Sequence, residues 1–70
     1  MERRNPRNPN HRDWDFIISQ MESGKWYVLE RFRNRTSGSR AKDYAERRLL
    51  ITRWVDDPKT GEVILEVRLP

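Results

Sequence analysis

The sequence predicts a small α+β domain, in which a three-stranded antiparallel or mixed sheet carries two helices on one face in the order α-β-α-β-β. Three observations predict this class. Two segments space their apolar residues like one face of a helix, one segment alternates apolar and polar residues, and two further β-rich runs flank a strong turn signal. Because a chain of 70 residues buries only one small core, we expect a single domain over residues 13–70.

Residues 1–12 are predicted to form a flexible basic arm outside this domain. They contain no apolar side chain after Met1, and they repeat Arg-Asn-Pro at positions 4–9. Proline disfavours helical backbone at the residue before it, so we expect extended or disordered chain here. A plain solvated terminus and an arm that follows phosphates or enters a minor groove both fit this composition.

The first helix is predicted to begin after Asp13, which can cap it. Four apolar residues follow the i, i+3, i+4, i+7 spacing of one helical face: Trp14, Ile17, Ile18 and Met21. Gly24 stands where a glycine often closes a helix. A strand over 15–21 is the alternative, so the choice between helix and strand for 14–23 stays open at the level of sequence.

Residues 25–33 are predicted to form the first strand, because aromatic and β-branched residues alternate along them. One face of this strand is expected to carry Trp26, Val28 and Phe32, and the other Tyr27, Leu29, Arg31 and Arg33. The second helix is predicted over about 38–50, after a polar loop with three candidate N-caps: Thr36, Ser37 and Ser39. Its inward residues are expected to be Ala41, Tyr44, Ala45 and Leu49.

The last third of the sequence predicts a β-hairpin. Residues 50–55 are β-rich, Asp-Asp-Pro-Lys-Thr-Gly at 56–61 favours a turn, and apolar residues alternate from Val63 to Leu69. The phase of strand 50–55 stays open, because Ile51 with Val55 and Thr52 with Trp54 compete for the inner face.

Basic residues are concentrated in the middle of the sequence. The chain has 15 basic and 11 acidic residues, a formal net charge of +4, and residues 25–53 alone contain nine basic and three acidic ones. Such segregation attracts polyanions. We predict a nucleic-acid interface that makes mainly phosphate contacts, formed by Arg31, Arg33, Arg35, Arg40, Lys42, Arg47, Arg48 and Arg53. A solvated basic face is the competing interpretation.

Aromatic residues extend this hypothesis. If Tyr27 and Trp54 lie on the open sheet face beside the arginines, they can stack on bases of a single strand; core packing is the alternative. The same face, with Leu29 and Ile64, or the last strand acting as a sheet edge, would equally suit a protein partner or a second copy of the chain.

Several classes of function are excluded by composition. The sequence has no cysteine and one histidine, His11, so a disulfide, a thiolate zinc site and a histidine cluster are excluded. The pairs Asp13/Asp15 and Asp56/Asp57 have simpler roles at a helix start and a turn. We predict no enzyme activity, no cofactor and no metal. No apolar run approaches the roughly 20 residues of a membrane span and no signal peptide is recognisable, so we expect a cytoplasmic protein.

Two resemblances bear on function. A helix leading into a hairpin resembles the recognition helix and wing of winged-helix DNA-binding domains such as phage excisionases, with 38–50 as the helix and Lys59 at the wing tip. A strand precedes that helix here, so the helix-turn-helix is missing. Gly-Lys-Trp-Tyr-Val-Leu-Glu-Arg-Phe at 24–32, followed by Asn-Arg-Thr-Ser and an Ala/Arg-rich helix, is similar to small accessory proteins of actinobacterial phages. That similarity covers 14–55 and implies a protein that binds phage or host nucleic acid, or a host protein, in the bacterial cytoplasm.

The sequence therefore predicts a non-enzymatic domain that binds nucleic acid, with DNA favoured. The alternative is a protein-interaction module of the phage accessory or inhibitor type, with a homodimer left open. Sequence specificity, the choice between DNA and RNA, and the identity of any protein partner lie beyond the sequence.

Overall fold

The structure is a computed structural model that describes residues 12–70. It consists of five elements: α1 (Trp14–Gln20), β1 (Tyr27–Phe32), α2 (Arg35–Arg47), β2 (Ile51–Asp56) and β3 (Val63–Arg68). The predicted fold class and element order are confirmed, and segment 14–20 is a helix rather than a strand. Apart from Arg12, the predicted basic arm lies outside the described residues.

The sheet is antiparallel and has the strand order β1-β3-β2. The outer strands β1 and β2 therefore run parallel to each other and are joined by α2, while β3 lies between them. Because β3 pairs on both sides, the expectation that the last strand serves as a sheet edge is wrong. The edges are β1 and β2.

Both helices lie on one face of the sheet, as predicted. The buried residues of β3 are Val63, Leu65 and Val67, every second residue of the strand. Val67 belongs to a core cluster that also contains Trp14, Ile17, Met21, Ala45 and Leu50. This core has apolar side chains from both helices on one side and sheet residues on the other, and it leaves the second sheet face without a helix among residues 12–70.

The register of the hairpin decides the phase of β2. Trp54 lies opposite Leu65 and Thr52 opposite Val67. Residues directly opposite each other in an antiparallel pair share a face of the sheet, so Thr52 and Trp54 face the helices. The alternate residues of β2 lie on the outer face: Ile51, Arg53 and Val55.

A bulge between Val28 and Glu30 changes the predicted phase of β1. Tyr27 and Leu29 pack against the core cluster, and beyond the bulge Phe32 lies opposite the buried Val63. The prediction that Phe32 shares a face with Val28, and that Leu29 lies on the open face, is therefore wrong. A bulge inserts one residue into the two-residue alternation, so residues on either side of it no longer follow one pattern.

The helix α2 begins three residues earlier than predicted. Asn34 is its N-cap, and the Asn34 side-chain oxygen accepts from the backbone N–H of Ser37 at 2.9 Å. The predicted caps Thr36, Ser37 and Ser39 lie inside the helix. The amide of Asn34 satisfies a free N–H group at the helix start, and this lets Arg35 become the first helical residue.

The C-terminal end of α2 closes with a leucine in the left-handed conformation. Leu49 has φ +67°, its N–H donates to the carbonyl of Glu46, and the N–H of Leu50 donates to the carbonyl of Ala45. This pair of hydrogen bonds is the Schellman motif. The chain leaves the helix direction at Leu49, so Leu50 is buried and Leu49 is exposed. The prediction that Leu49 faces inward is wrong.

Gly24 does not close α1. That helix ends at Gln20, where the N–H of Met21 donates to the carbonyl of Ile18. Gly24 has φ +79° and lies in the following turn, where the N–H of Lys25 donates to the carbonyl of Glu22. Glycine at this position allows the positive φ of the turn that leads into β1.

Candidate nucleic-acid interface

The predicted basic residues do not form one surface. Arg31 and Arg53 lie on the outer face of the sheet, since their strand partners Ile64 and Glu66 alternate with the buried residues of β3. The helix α2, packed on the opposite face, carries Arg35, Arg40, Lys42 and Arg47. Arg33 and Arg48 flank that helix. The charge that is continuous in sequence is therefore divided between the two faces of the sheet.

Most of these residues are also paired with carboxylates. Residues 12–70 contain twelve basic and ten acidic residues, and six of the eight predicted basic residues form ion pairs: Arg31–Asp57 (2.7 Å), Arg35–Asp56 (3.8 Å), Lys42–Glu46 (2.7 Å), Arg47–Asp43 (3.3 Å), Arg48–Asp15 (3.9 Å) and Arg53–Glu66 (2.6 Å). Within the described residues, Arg33 and Arg40 have no such partner. Exposed pairs of this kind contribute about 0–1 kcal/mol each, but they weaken the positive field of the surface.

Two of the carboxylates have shifted pKa values. The pKa of Asp57 is lowered by its hydrogen bond from Arg31 and by the backbone N–H of Lys59, and the same Arg31–Asp57 hydrogen bond raises the pKa of Arg31. Hydrogen bonds from Lys42 and from the Thr52 hydroxyl lower the pKa of Glu46. Both carboxylates are thus held in the charged form beside their cations.

Tyr27 and Trp54 are not on the open face, which corrects their predicted placement. Trp54 makes an edge-to-face contact with Phe32, with ring centroids 6.2 Å apart and an interplanar angle of 79°, and both rings lie under Gly38 of α2. Tyr27 packs against the core cluster. Both rings therefore serve the packing of the helices on the sheet, which was the alternative interpretation.

A different aromatic residue, Trp26, has the predicted arrangement with arginine. The guanidinium carbon of Arg53 lies 4.0 Å from the centroid of a Trp26 ring, and that of Arg68 lies 5.1 Å from it. Arg53 also donates to Glu66 from Nε at 2.7 Å and from Nη2 at 2.6 Å. We call Trp26, Arg53, Glu66 and Arg68 the Trp26 cluster. It lies on the sheet face that α1 and α2 leave uncovered.

Sequence reasoning missed both Trp26 and Arg68 as site residues. Trp26 precedes β1 and has the phase of Val28, so alternation puts the two on one face without saying which. The pairing of Val28 with Glu66 identifies that face as the outer one. Arg68 lies in a stretch with more acidic than basic residues, and only its register opposite Ile51 brings it beside the arginine of β2. In the described part of the chain Arg68 has no carboxylate partner, and its Nε is buried without a hydrogen bond.

A small pocket adjoins the Trp26 cluster where the α1–β1 connection meets the sheet. Its volume is about 150 Å³, and it is lined by Gln20, Glu22, Lys25, Trp26 and Tyr27. Drug-sized ligands occupy about 300–1,000 Å³, so this pocket is too small to enclose such a ligand.

Apolar side chains flank the Trp26 cluster. Val28 is 56% exposed and Ile51 is 38% exposed, and both lie on the outer sheet face. Tryptophan and arginine surrounded by such residues are also enriched at the centres of protein–protein interfaces.

Residues 12–70 contain no helix long and apolar enough to cross a membrane, and no group of three or more histidine or acidic residues that could hold a metal ion. Comparison with protein-family models, curated proteins and solved structures finds no match for this chain. The resemblances to winged-helix domains and to phage accessory proteins therefore stay predictions.

Proposed function

We propose that the protein is a non-enzymatic module that binds single-stranded nucleic acid, DNA or RNA, through the Trp26 cluster. One observation carries the proposal: a tryptophan ring with two guanidinium groups 4.0 and 5.1 Å from its centroid, on an uncovered sheet face. Unpaired bases stack on aromatic rings and on guanidinium planes, and each base contributes about 1–3 kcal/mol. A single strand is favoured because its bases are free to reach Trp26.

Arg68 is the residue we expect to contact phosphate most directly. It lacks a carboxylate partner within residues 12–70, so no acidic side chain there offsets its charge. Its Nε atom is buried, so a phosphate would bind the terminal Nη groups through a charge-assisted hydrogen bond. Arg53 is expected to stack on a base rather than to bind phosphate, because its ion pair with Glu66 holds its guanidinium in place and offsets its charge. Gln20 and Lys25 line the pocket beside Trp26, and we expect them to contact the edge of a stacked base.

The remaining basic residues would act at longer range. Arg33 and Arg40 have no carboxylate partner among residues 12–70, and the first turn of α2 contains no acidic residue. With the predicted arm, these residues support a positive field that attracts phosphate. The proposal places the protein in the cytoplasm, and in a bacterial host cell if it is phage-encoded.

A fluorescence anisotropy titration tests this function. Labelled single-stranded and duplex DNA, and single-stranded RNA, are titrated with the protein at low and at moderate salt. We expect the single strands to bind more tightly than the duplex, with affinity that falls as salt rises. Trp26→Ala should weaken binding by roughly tenfold or more, as the loss of one stacked base requires. Absence of binding at low salt would refute the proposal.

Arg47 provides a matched control for Arg68. Its guanidinium lies 5.3 Å from the ring of Tyr44, so it is also an arginine beside an aromatic ring. Unlike the half-buried Arg68, it is exposed and paired with Asp43, and it belongs to α2 on the other side of the sheet. We expect Arg68→Ala to weaken binding clearly and Arg47→Ala to change it little. Equal effects would indicate general charge attraction in place of a site at the Trp26 cluster.

A protein partner on the same face is the second candidate, favoured by the exposure of Val28 and Ile51. This candidate predicts a contact that tolerates salt, survives nuclease treatment of a cell extract, and is lost in Val28→Asp. The same substitution should have a smaller effect than Trp26→Ala on binding of nucleic acid. Leu29, considered for this role from the sequence, is unsuitable because it packs against the core.

A further inference from the structure

The end of the molecule where α1 begins and α2 ends carries exposed apolar side chains. Arg48, just after α2, lies 3.9 Å from Asp15 in the first turn of α1. The sequence neighbours of this ion pair are Phe16, which is 59% exposed, and Leu49, which is 77% exposed. We call Asp15, Phe16, Arg48 and Leu49 the end patch. It shares no residue with the Trp26 cluster, so its role is independent of the proposed function.

Within residues 12–70, the side chain of Leu49 is not part of the core. Its φ of +67° lies in the left-handed region, which favours glycine and is costly for a residue with a β-carbon. The Schellman hydrogen bonds that it makes come from its backbone, and its side chain is mostly in solvent. A leucine at this position therefore costs stability in one chain, and such a cost is typical of residues kept for a contact.

The charges of the end patch favour a second copy of this chain as the contact. The carboxylate of Asp15 is 96% exposed, and its 3.9 Å separation from Arg48 is at the limit of an ion pair, so both groups are free to form better pairs. Around a two-fold axis each chain offers the same surface. Arg48 can then face Asp15 of the partner subunit, and the reverse pair forms on the other side of the axis.

We propose that the end patch is the interface of a weak homodimer, in which Phe16 and Leu49 pack across the two-fold axis between two intermolecular Arg48–Asp15 pairs. Four residues of each chain take part, against about 20–30 a side in a stable interface, so we expect the association to be weak. The dimer forms reversibly as the protein concentration rises. It also covers apolar surface that a chain of this size has few means of burying.

Sedimentation equilibrium at several concentrations tests the proposal. The average mass of the natural chain should rise from one chain towards two. Leu49→Gly should lower the association constant at least about tenfold, while raising the midpoint of thermal unfolding measured at low concentration, because glycine adopts this φ without strain. A variant that merely damaged the fold would lower both quantities. A mass of one chain up to the millimolar range, or unchanged association in Leu49→Gly, would overturn the proposal.

Mixing two charge variants tests the two-fold pairing. Asp15→Lys and Arg48→Glu each place like charges together across the axis, so each variant alone should associate more weakly than the natural chain. In an equal mixture, each chain of one variant faces opposite charges on the other, so the average mass should rise above that of either variant alone. The Asp15–Arg48 pair within one chain stays broken in both variants. If the substitutions acted only within single chains, the average mass of the mixture would therefore not rise. Arg47→Glu, adjacent but outside the patch, should leave the mass unchanged.

Discussion

The close approach of α2 to the sheet at Gly38 makes the substitution Gly38→Ala a strong test of the fold. Gly38 is buried, and a β-carbon added there would lie 2.6 Å from Cδ2 of Phe32 and 2.7 Å from Cη2 of Trp54. Both ring atoms belong to the edge-to-face pair, and Trp54 lies on the helix-facing side of the sheet, opposite the buried Leu65. Alanine therefore forces the helix to move away or the two rings to leave their positions.

Two opposing effects set the size of the change. Alanine is about 1 kcal/mol better than glycine inside a helix, whereas overpacking a core costs about 1–3 kcal/mol. Contacts well under 3.0 Å with two rings put the cost at the upper end of that range. We expect a net loss of about 2 kcal/mol in the free energy of unfolding, which in a domain of this size lowers Tm by roughly 8–16 °C.

Thermal and urea unfolding followed by circular dichroism measure this loss. Ser39→Ala is the matched control, because Ser39 is the exposed neighbour in the same helix, and we expect its stability to change by no more than about 0.5 kcal/mol. A smaller side chain at Phe32 should make room for the new β-carbon. The cost of Gly38→Ala should therefore be smaller in a Phe32→Leu background than in the natural chain. A Gly38→Ala variant as stable as the natural chain would refute the close approach of α2.

Three further predictions concern caps, strain and pH. Asn34→Ala should lower the free energy of unfolding by about 1 kcal/mol because the first turn of α2 loses its cap. In the same urea titration Asn34→Ser, which can still cap the helix, should keep most of this stability. Leu49→Gly should raise the free energy of unfolding by about 1 kcal/mol at low protein concentration; a lower midpoint would contradict the strain argument. The pKa values of Asp57 and Glu46 in the folded chain lie below their usual 3.8 and 4.5. The contribution of these two carboxylates to stability is therefore complete when the pH is above 3.8 and 4.5, and it is lost as the pH falls through their lowered pKa values. The free energy of unfolding should decrease as the pH is lowered from about 5 to about 2, and it should decrease less steeply in Asp57→Asn, which removes one of the two groups.

Local patterns were enough to predict the elements and their order. The helical spacing from Trp14 to Met21 favoured a helix, with a strand left open, and the turn residues at 56–61 identified the hairpin, because both signals depend on neighbours a few residues apart. The phase of β1 could not be predicted, since the bulge at Val28/Glu30 arises from pairing with a distant strand. The prediction for the end of α2 was wrong for a similar reason. Helical spacing favours burial of Leu49, but the left-handed φ of Leu49 turns the chain so that Leu50 is buried in its place.

The site was harder to predict than the fold. Counting charges found the arginines but could not find their partners, because the carboxylates beside Arg31 and Arg53 lie 26 and 13 residues away in the sequence. The aromatic residue on the open face depended on strand register, and the register placed Trp54 under Gly38 and left Trp26 outside. The predicted combination of aromatic and arginine side chains is present, with a different aromatic residue.

The position of β3 has a consequence for how the chain folds. During synthesis β1 and β2 emerge first, yet neither pairs with the other, because the strand that joins them comes last in the sequence. A nascent chain that has reached only the turn before Val63 can form helices and no part of the native sheet. The native sheet therefore cannot form before β3 is synthesised, because both of its strand pairs include β3. The Trp26 cluster needs Glu66 and Arg68 of β3, so the surface on which we expect binding exists only once that strand has paired.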